Sequence, residues 1–249
     1  MSTIETGVQA IAETAERSFT VRGPSVSFQI ALSDSFVIKI SESVVIEWFV
    51  IIALGILFFI LGRNLKVVPE GKRQVIAEFI VGFFNNSVRD TMGDRYKKYT
   101  SYIGALFCFS LCMSLTGLLG MRSPTSDLSV VGSWGIVTFV LVLRNKLKTG
   151  GIKGYLKGFF QPLPFMLPFN IIGDFANPVA QSLRHFANIL AGSVIGGLIY
   201  FALGGIANGL ASIGVPAVMS LYFDLFSAVI QAYIFCTLTM AYVSMAESD

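Results

Sequence analysis

The residues most able to do chemistry in this sequence are one arginine and a set of polar side chains in its apolar C-terminal third. Arg184 is the last lysine or arginine of the chain, and the nearest one before it is Lys157. An arginine at membrane depth costs about 3 kcal/mol on insertion scales. Such a charge is usually kept where it faces a partner, a water-filled cavity or a functional group. Arg184 is therefore the first candidate for a functional residue.

Polar residues recur at one spacing in the last two apolar segments. Steps of four, three and four residues keep each set on one helix face at about 100° per residue. One interpretation is a hydrated path for protons or ions, and the other is a structural ion pair between Arg184 and Asp224. The two stripes are Asn177, Gln181, Arg184 and Asn188 in the first segment, and Ser220, Asp224, Ser227 and Gln231 in the second.

Three further ionisable residues need an interpretation, and two of them, Asp174 and His185, have two each. Asp174 lies at an aqueous vestibule, or it caps a helix that starts near Asn177. His185 follows Arg184 and so points about 100° away from it, as a packing residue or as a proton carrier. Glu47 is near the start of the first apolar run, where an interfacial position explains it without a function.

The elements that hold these residues are membrane helices. Apolar residues make up 54% of the 249 residues and charged ones 13%, about half the usual charge of a soluble domain. The apolar residues form runs of about 20, the length that crosses a bilayer as a helix. We expect an all-α polytopic membrane protein with about five transmembrane helices and one interfacial amphipathic helix.

The basic residues set the orientation. The first span ends in a basic cluster, which the positive-inside rule places in the cytoplasm. Residues 74–90 are amphipathic and predict a helix along that surface. Five crossings put the N-terminus outside and the C-terminus in the cytoplasm. The predicted spans are about 44–62, 99–121, 127–143, 178–207 and 217–244.

Connecting segments carry their own patterns. Residues 26–40 alternate around a polar turn and predict a β-hairpin outside the bilayer. Residues 1–24 are polar, and we expect them to form a loose helix or to be disordered. With the hairpin they make up an extracytoplasmic segment of residues 1–43, and residues 44–249 form one membrane domain. The sequence from Pro124 to Asp127 predicts a cap for the next helix. Residues 158–178 carry four prolines, which membrane-embedded backbone tolerates only against protein or a wet cavity.

Several classes of function are disfavoured. The single histidine and the three cysteines within apolar runs predict no metal site, no disulfide and no cofactor. No glycine-rich phosphate loop followed by Lys and Ser or Thr is present, so ATP binding is not expected. The basic residues lie beside the spans, so the net charge of +3 does not indicate nucleic acid. The N-terminal segment lacks a basic start followed by an apolar run, so a cleaved signal peptide is not predicted.

Two motifs resemble a known family. Ser182–Gly192 reads Ser-Leu-Arg-His-Phe-Ala-Asn-Ile-Leu-Ala-Gly and resembles the Ser-Leu-Arg-Leu-Phe-Gly-Asn-x-x-Ala-Gly signature of subunit a of F-type ATP synthases. Ile230–Thr239 is similar to the Gln-Ala-Phe/Tyr-Ile-Phe-x-x-Leu-Thr segment of that family. Weaker similarity brings the resemblance to roughly residues 70–245. The weaker matches are residues 115–120, 124–127 and 177–179.

The resemblance implies a fold and a role. The last two helices would form a long, tilted hairpin against a rotating ring of c subunits, with two offset half-channels. Arg184 would face the ring carboxylate, while Asn188, Asp224 and Gln231 match polar positions of the family. The chain would be a non-catalytic stator subunit of a proton-driven ATP synthase in a bacterial plasma or inner membrane. Its partners would be the c-ring, the b subunits of the peripheral stalk, the other ATP synthase subunits and the bilayer.

The sequence also departs from that pattern. Ser193 stands where the family commonly has Glu or His, which leaves Asp224 and Asp174 as the expected proton carriers. His185 replaces Leu, and whether it compensates for the missing group stays open. One alternative is a stand-alone secondary transporter or channel with Arg184 binding an anion. A structural anchor and an intramembrane enzyme with Ser182 or Ser193 as nucleophile are more distant, since no paired base is evident.

Overall fold

The computed structural model describes most of the chain from residue 26 to residue 248. The expected N-terminal segment of residues 1–24 lies outside the described residues. The described ranges are 26–33, 36–67, 71–119, 121, 123–160, 163–206 and 211–248. Within them, the side chains of 26–39, 193, 197, 199–206, 211–217, 219, 220, 223, 224, 247 and 248 are outside the description.

A β-hairpin precedes the helices. Strand β1 (Val26–Ser33) pairs with β2 (Phe36–Ser41) in antiparallel register, with Ile30 opposite Ile38. The alternating pattern of residues 26–40 predicted this hairpin, and the prediction is confirmed. Its position outside the bilayer stays a prediction.

Six α-helices follow in the described part of the chain. Four segments are long and apolar enough to cross a membrane, namely Glu42–Gly62, Asp94–Leu119, Leu128–Gly158 and Leu225–Ala246. The expected all-α polytopic architecture is confirmed, while the count of five crossings stays a prediction. The helices are α1 (Glu42–Gly62), α2 (Lys72–Met92), α3 (Thr100–Leu115), α4 (Leu128–Gly158), α5 (Leu167–Ile206) and α6 (Ala211–Ser248).

The helices pack so that the two ends of the bundle differ. At the hairpin end, β2 leads into α1, α3 ends and α4 begins. At the basic end, a 3₁₀ turn (Asp94–Tyr99) leads into α3, and α4 carries its lysines. One buried cluster joins α2, α3 and α6, and a second joins α3, α4 and α6. The clusters are Phe84, Val88, Met92, Tyr96, Ile103, Cys236, Met240 and Val243, and Met113, Val130, Val131, Trp134 and Phe235.

Helix α4 begins where the sequence predicts and ends much later. Asp127 caps it, because its carboxylate accepts the backbone N–H of Ser129 at 3.0 Å. The predicted end near residue 143 is wrong, since the helix continues to Gly158 with a kink at Gly151, whose φ is 65°. Lysine and arginine are good helix formers whose long stems reach the surface, so a basic run changes the environment of a helix without ending it.

Helix α5 starts earlier than expected, at Leu167 instead of about residue 178. Pro168 lies in its first turn, where a missing N–H leaves no hydrogen bond unmade. Pro178 lies inside the helix, and Ser182 Oγ donates to its carbonyl oxygen at 3.1 Å. Asp174 is therefore internal to α5, and the interpretation that it caps a helix near Asn177 is wrong. Helix α6 likewise starts at Ala211, before the expected residue 217.

The packing of α4 on α5 depends on one glycine, which gives a first prediction. A Cβ added at Gly135 would collide with Ser182 Oγ and lie 2.9 Å from the Pro178 carbonyl oxygen. We expect Gly135→Ala to lower the free energy of unfolding by about 1–3 kcal/mol, because the two helices must separate. The measurement is the thermal midpoint of the purified protein in detergent.

Gly132→Ala is the matched control, because a Cβ at Gly132 meets nothing within 4 Å. It should leave the midpoint unchanged or raise it slightly, since alanine favours helix. Equal losses in the two variants would contradict the close approach of α4 and α5.

Candidate functional site

Arg184 lies on the face of α5 that the rest of the described chain leaves open. Its side chain is exposed, and it forms no ion pair with any carboxylate that the structure describes. Its neighbours on that face are small or uncharged, so another helix can approach closely there. The exposed neighbours are Asn177, Ala180, Ala187 and Ala191. The side chains of Asp224 and Ser193 lie outside the described residues, so an Arg184–Asp224 ion pair stays a prediction.

The polar stripe of α5 lies at the edge between its open face and its packed face. Asn177 and Arg184 are exposed, Asn188 is half-buried and Gln181 is buried. The four positions span an arc of about 60°. Because this narrow arc crosses the edge, the four residues have different surroundings although they share one helix face.

Hydrogen bonds from this edge fasten α5 to α6. Gln181 Nε2 donates to the Phe235 carbonyl oxygen and to Thr239 Oγ1, both at 2.9 Å. Asn188 Nδ2 donates to Ser227 Oγ at 3.2 Å, so the structure brings one member of each predicted stripe together. Gln231, from the second stripe, is buried in α6. These contacts fix which face of α5 looks outward.

Asp174 lies in an ion pair between α4 and α5. Lys146 Nζ is 2.8 Å from Oδ1 and 3.0 Å from Oδ2, and the Tyr155 hydroxyl donates to Oδ2 at 3.3 Å. The Lys146 and Asp174 side chains are 21% and 19% exposed, so the pair is largely shielded from bulk solvent. The sequence did not predict this partner, because nothing in the spacing of residues 146 and 174 links them. Whether Asp174 also borders a vestibule stays a prediction.

His185 points about 100° away from Arg184, into the bundle. Its side chain is fully buried, and its ring meets Trp134 and Phe235 edge-on, with centroids 5.6 and 5.9 Å apart. His185 Nε2 lies 3.5 Å from Ser114 Oγ, while Nδ1 has no hydrogen-bond partner. His185 therefore packs against aromatic rings on two sides, and its Nδ1 can still form a hydrogen bond.

The surroundings of His185 form a polar seam, which we define as four pairs of residues on α1, α3, α4 and α5. In each pair the two residues are four positions apart, so both lie on one helix face. Glu47 lies beside the Trp134 indole, and Phe109 and Trp134 pack together in the same layer. The pairs are Ser43 and Glu47, Ser110 and Ser114, Trp134 and Thr138, and Gln181 and His185.

Several polar atoms of the seam are buried without a protein partner. They are Ser43 Oγ, Ser110 Oγ, Gln181 Oε1 and His185 Nδ1, while the Trp134 indole lies beside Glu47. Buried polar groups are nearly always hydrogen-bonded, and water supplies the bond where protein does not. Such a row of hydroxyl, indole, amide and imidazole groups suits a chain of water molecules. Ser114 and Trp134 were not among the residues predicted from the sequence, and their one signal was the four-residue spacing of polar side chains within apolar helices.

The model of the family described as ATP synthase A chain matches residues 44–244. The chain belongs to this family. The resemblance drawn from the arginine and glutamine motifs is thereby confirmed. The chain is thus related to a membrane component of the ATP synthase that moves ions and works with other subunits of that enzyme.

Curated relatives align over most of their length. The sodium-ion-specific ATP synthase subunit a of Propionigenium modestum is 32% identical, over 92% of this chain and 86% of the relative. ATP synthase subunit a of Moorella thermoacetica is 29% identical, over 83% of this chain and 91% of its own. Subunit a 1 of Crocosphaera subtropica is 32% identical, over 83% and 87%.

The links between α5 and α6 give a second prediction. Gln181→Leu removes both hydrogen bonds to α6 while keeping a similar volume. We expect a loss of about 1–3 kcal/mol in unfolding free energy, because the Phe235 carbonyl and the Thr239 hydroxyl lose a donor. The measurement is the thermal midpoint of the chain within the purified ATP synthase complex. Asn177→Leu, on the exposed face of the same helix, should change that midpoint little, and equal effects would argue against the role of Gln181.

Proposed function

We propose that this chain is the ion-translocating stator subunit a of an F-type ATP synthase and that it carries protons through two half-channels. Its partners are the ring of c subunits, the b subunits of the peripheral stalk and the remaining subunits of the enzyme. The observation that supports this role most directly is the exposed arginine on a face of small side chains. A charge left open in this way fits an acidic partner on another chain.

Arg184 acts as an electrostatic gate in this proposal. A ring carboxylate in lipid stays protonated, because burial disfavours its charged form. When rotation brings it opposite the guanidinium, the nearby positive charge favours ionisation and the proton leaves. A guanidinium keeps its own proton in proteins, so Arg184 cannot pass protons from one half-channel to the other. The membrane potential supplies about 2.3 kcal/mol per charge per 100 mV.

The polar seam serves as the outer half-channel. It begins at the hairpin end with Ser43 and Glu47 and reaches the middle of α5 at His185. From there a proton must pass around the helix to the open face, and the amides of Gln181 and Asn188 lie along that edge. His185 then carries the proton that the family's common Glu or His at the position of Ser193 would carry. Asp224, on α6, is a second proposed carrier on this side.

The inner half-channel starts at the part of α5 that lies at the basic end of the bundle. Asp174 and Asn177 precede Arg184 by three and two helical turns, so they lie between the gate and the basic surface. Lys146 and Tyr155 hold the Asp174 carboxylate at this level. Gln231 lines the α6 side of the path near the gate in the proposal, while Ser227, bonded to Asn188, lies on the outer side of it. The proposed ion is a proton, since the imidazole and hydroxyl groups of the seam can relay protons.

The gate gives a third prediction. Arg184→Ala should abolish ATP-driven proton pumping and raise passive proton conduction, because nothing then separates the half-channels. The measurement is fluorescence quenching of a pH dye in membrane vesicles, in sodium-free medium. Arg144→Ala removes an exposed charge from α4 and should pump normally. Coupled pumping by Arg184→Ala would contradict the gate, and wild-type pumping only in the presence of Na⁺ would contradict the proton as coupling ion.

The seam gives a fourth prediction. His185→Leu introduces the residue that the family commonly has and that fills a similar volume. If His185 relays protons, we expect passive conduction to fall roughly ten-fold or more, the scale of a lost proton-transfer group. The double variant His185→Leu with Ser193→Glu should regain conduction, because it restores a protonatable group on the same helix, about 12 Å further along the proposed outer path. Full conduction by His185→Leu alone would show that His185 only packs against its neighbours. A failed rescue would contradict the proposal that His185 takes the place of a protonatable group at position 193.

A further inference from the structure

A cavity of about 310 Å³ opens at the basic end of the bundle. It lies between the 3₁₀ turn before α3 and the basic part of α4. Three of the side chains around it are cationic, and the others are an amide and a hydroxyl. The lining residues are Arg95, Lys98, Asn145, Lys148 and Thr149. This composition suits an anion.

The floor of the cavity is held in place by hydrogen bonds. Asn145 is buried, and its Oδ1 accepts the Tyr99 hydroxyl at 2.7 Å while its Nδ2 donates to the Val243 carbonyl oxygen at 3.4 Å. Thr149 Oγ1 donates to the Asn145 carbonyl oxygen at 3.2 Å. The turn, α4 and α6 are therefore joined at one residue. Such a fixed floor keeps the basic side chains of the two walls close to each other.

The acidic groups that the structure describes near this end are paired with other cations. Asp94 pairs with Lys97 at 3.1 Å, and Asp174 pairs with Lys146 at 2.8 Å. Within the described part of the chain, no carboxylate forms an ion pair with Lys98 or Lys148. Lys98 and Lys148 thus keep positive charge that the described carboxylates do not neutralise.

The depth of the cavity indicates the source of the anion. The apolar stretch of α3 begins at Thr100 and that of α4 ends at Leu143. The lining residues lie within six residues of these limits, which is about 9 Å along a helix. The polar headgroup layer occupies roughly 5 to 8 Å beyond the hydrocarbon on each side of a bilayer. The cavity therefore opens at the level of lipid phosphates.

We propose that this cavity binds the phosphate headgroup of an anionic phospholipid of the surrounding bilayer. Lysine binds phosphate as a point charge and arginine through paired N–H groups, while Thr149 adds a hydroxyl. Basic pockets between membrane helices on the cytoplasmic side commonly take such headgroups. The site is separate from the proposed ion path and does not depend on it. A lipid seated there would brace the turn before α3 against α4.

The test uses the assembled ATP synthase in nanodiscs of phosphatidylcholine that contain a phosphatidylglycerol analogue with a photoreactive headgroup. After illumination, labelled peptides of this chain are counted by mass spectrometry. We expect labelling at residues 95–99 and 145–149, reduced roughly five-fold for each lysine removed in Lys98→Gln and Lys148→Gln. The control is Lys153→Gln, which removes an exposed lysine of α4 that does not line the cavity.

Three outcomes would overturn the proposal. Equal labelling of Lys148→Gln and Lys153→Gln would show attraction to the membrane surface alone. Suppression of labelling by inorganic phosphate in solution, but not by unlabelled phosphatidylglycerol, would assign the cavity to free phosphate. The third outcome is an intact wild-type complex that shows no labelling but forms crosslinks from Lys98 to a neighbouring subunit. This result would assign the cavity to an acidic protein segment. Complex yield is measured for each variant, so a failure of assembly is recognised separately.

Discussion

The structure depends on the rotation of α5 about its own axis. Arg184 and His185 are neighbours in sequence and point about 100° apart, one to the open face and one into the bundle. A guanidinium cannot lose its charge in a protein, so turning it inward would bury a permanent cation among apolar side chains. The same turn would expose the aromatic packing of His185. One helix rotation therefore decides where the charge faces and where the polar seam ends.

Contacts with two neighbouring helices hold that rotation. Gln181 and Asn188 attach α5 to α6, and the Lys146–Asp174 pair attaches it to α4. Gly135 lets α4 approach the turn between Pro178 and Ser182. These contacts use hydrogen bonds, an ion pair and close packing, because hydrophobic burial gives little direction between helices that are already surrounded by lipid. Polar side chains that look like a channel lining in the sequence thus also serve as fasteners.

The sequence predicted what depends on local patterns. The β-hairpin, the first span, the amphipathic helix and the cap at Asp127 followed from period and capping chemistry. The end of α4 and the start of α5 did not, since lysines and a first-turn proline are compatible with a helix. The polar seam was not predicted, because its residues lie on four helices and no sequence spacing relates Ser114 to His185. The resemblance named Arg184, but no sequence pattern could say that Gln181 is buried and Asn177 exposed.

The seam is poorly explained by stability alone. A buried polar atom without a partner costs about 1–3 kcal/mol, and apolar side chains of the same size would avoid that cost at several positions. Hydration removes much of it, so the seam is consistent with water and not with a dry core. In the proposed function, a proton that travels along this water meets the positive field of Arg184 at the far side of α5. It can then proceed only onto an ionised carboxylate of the partner ring, and this requirement is what ties its passage to rotation.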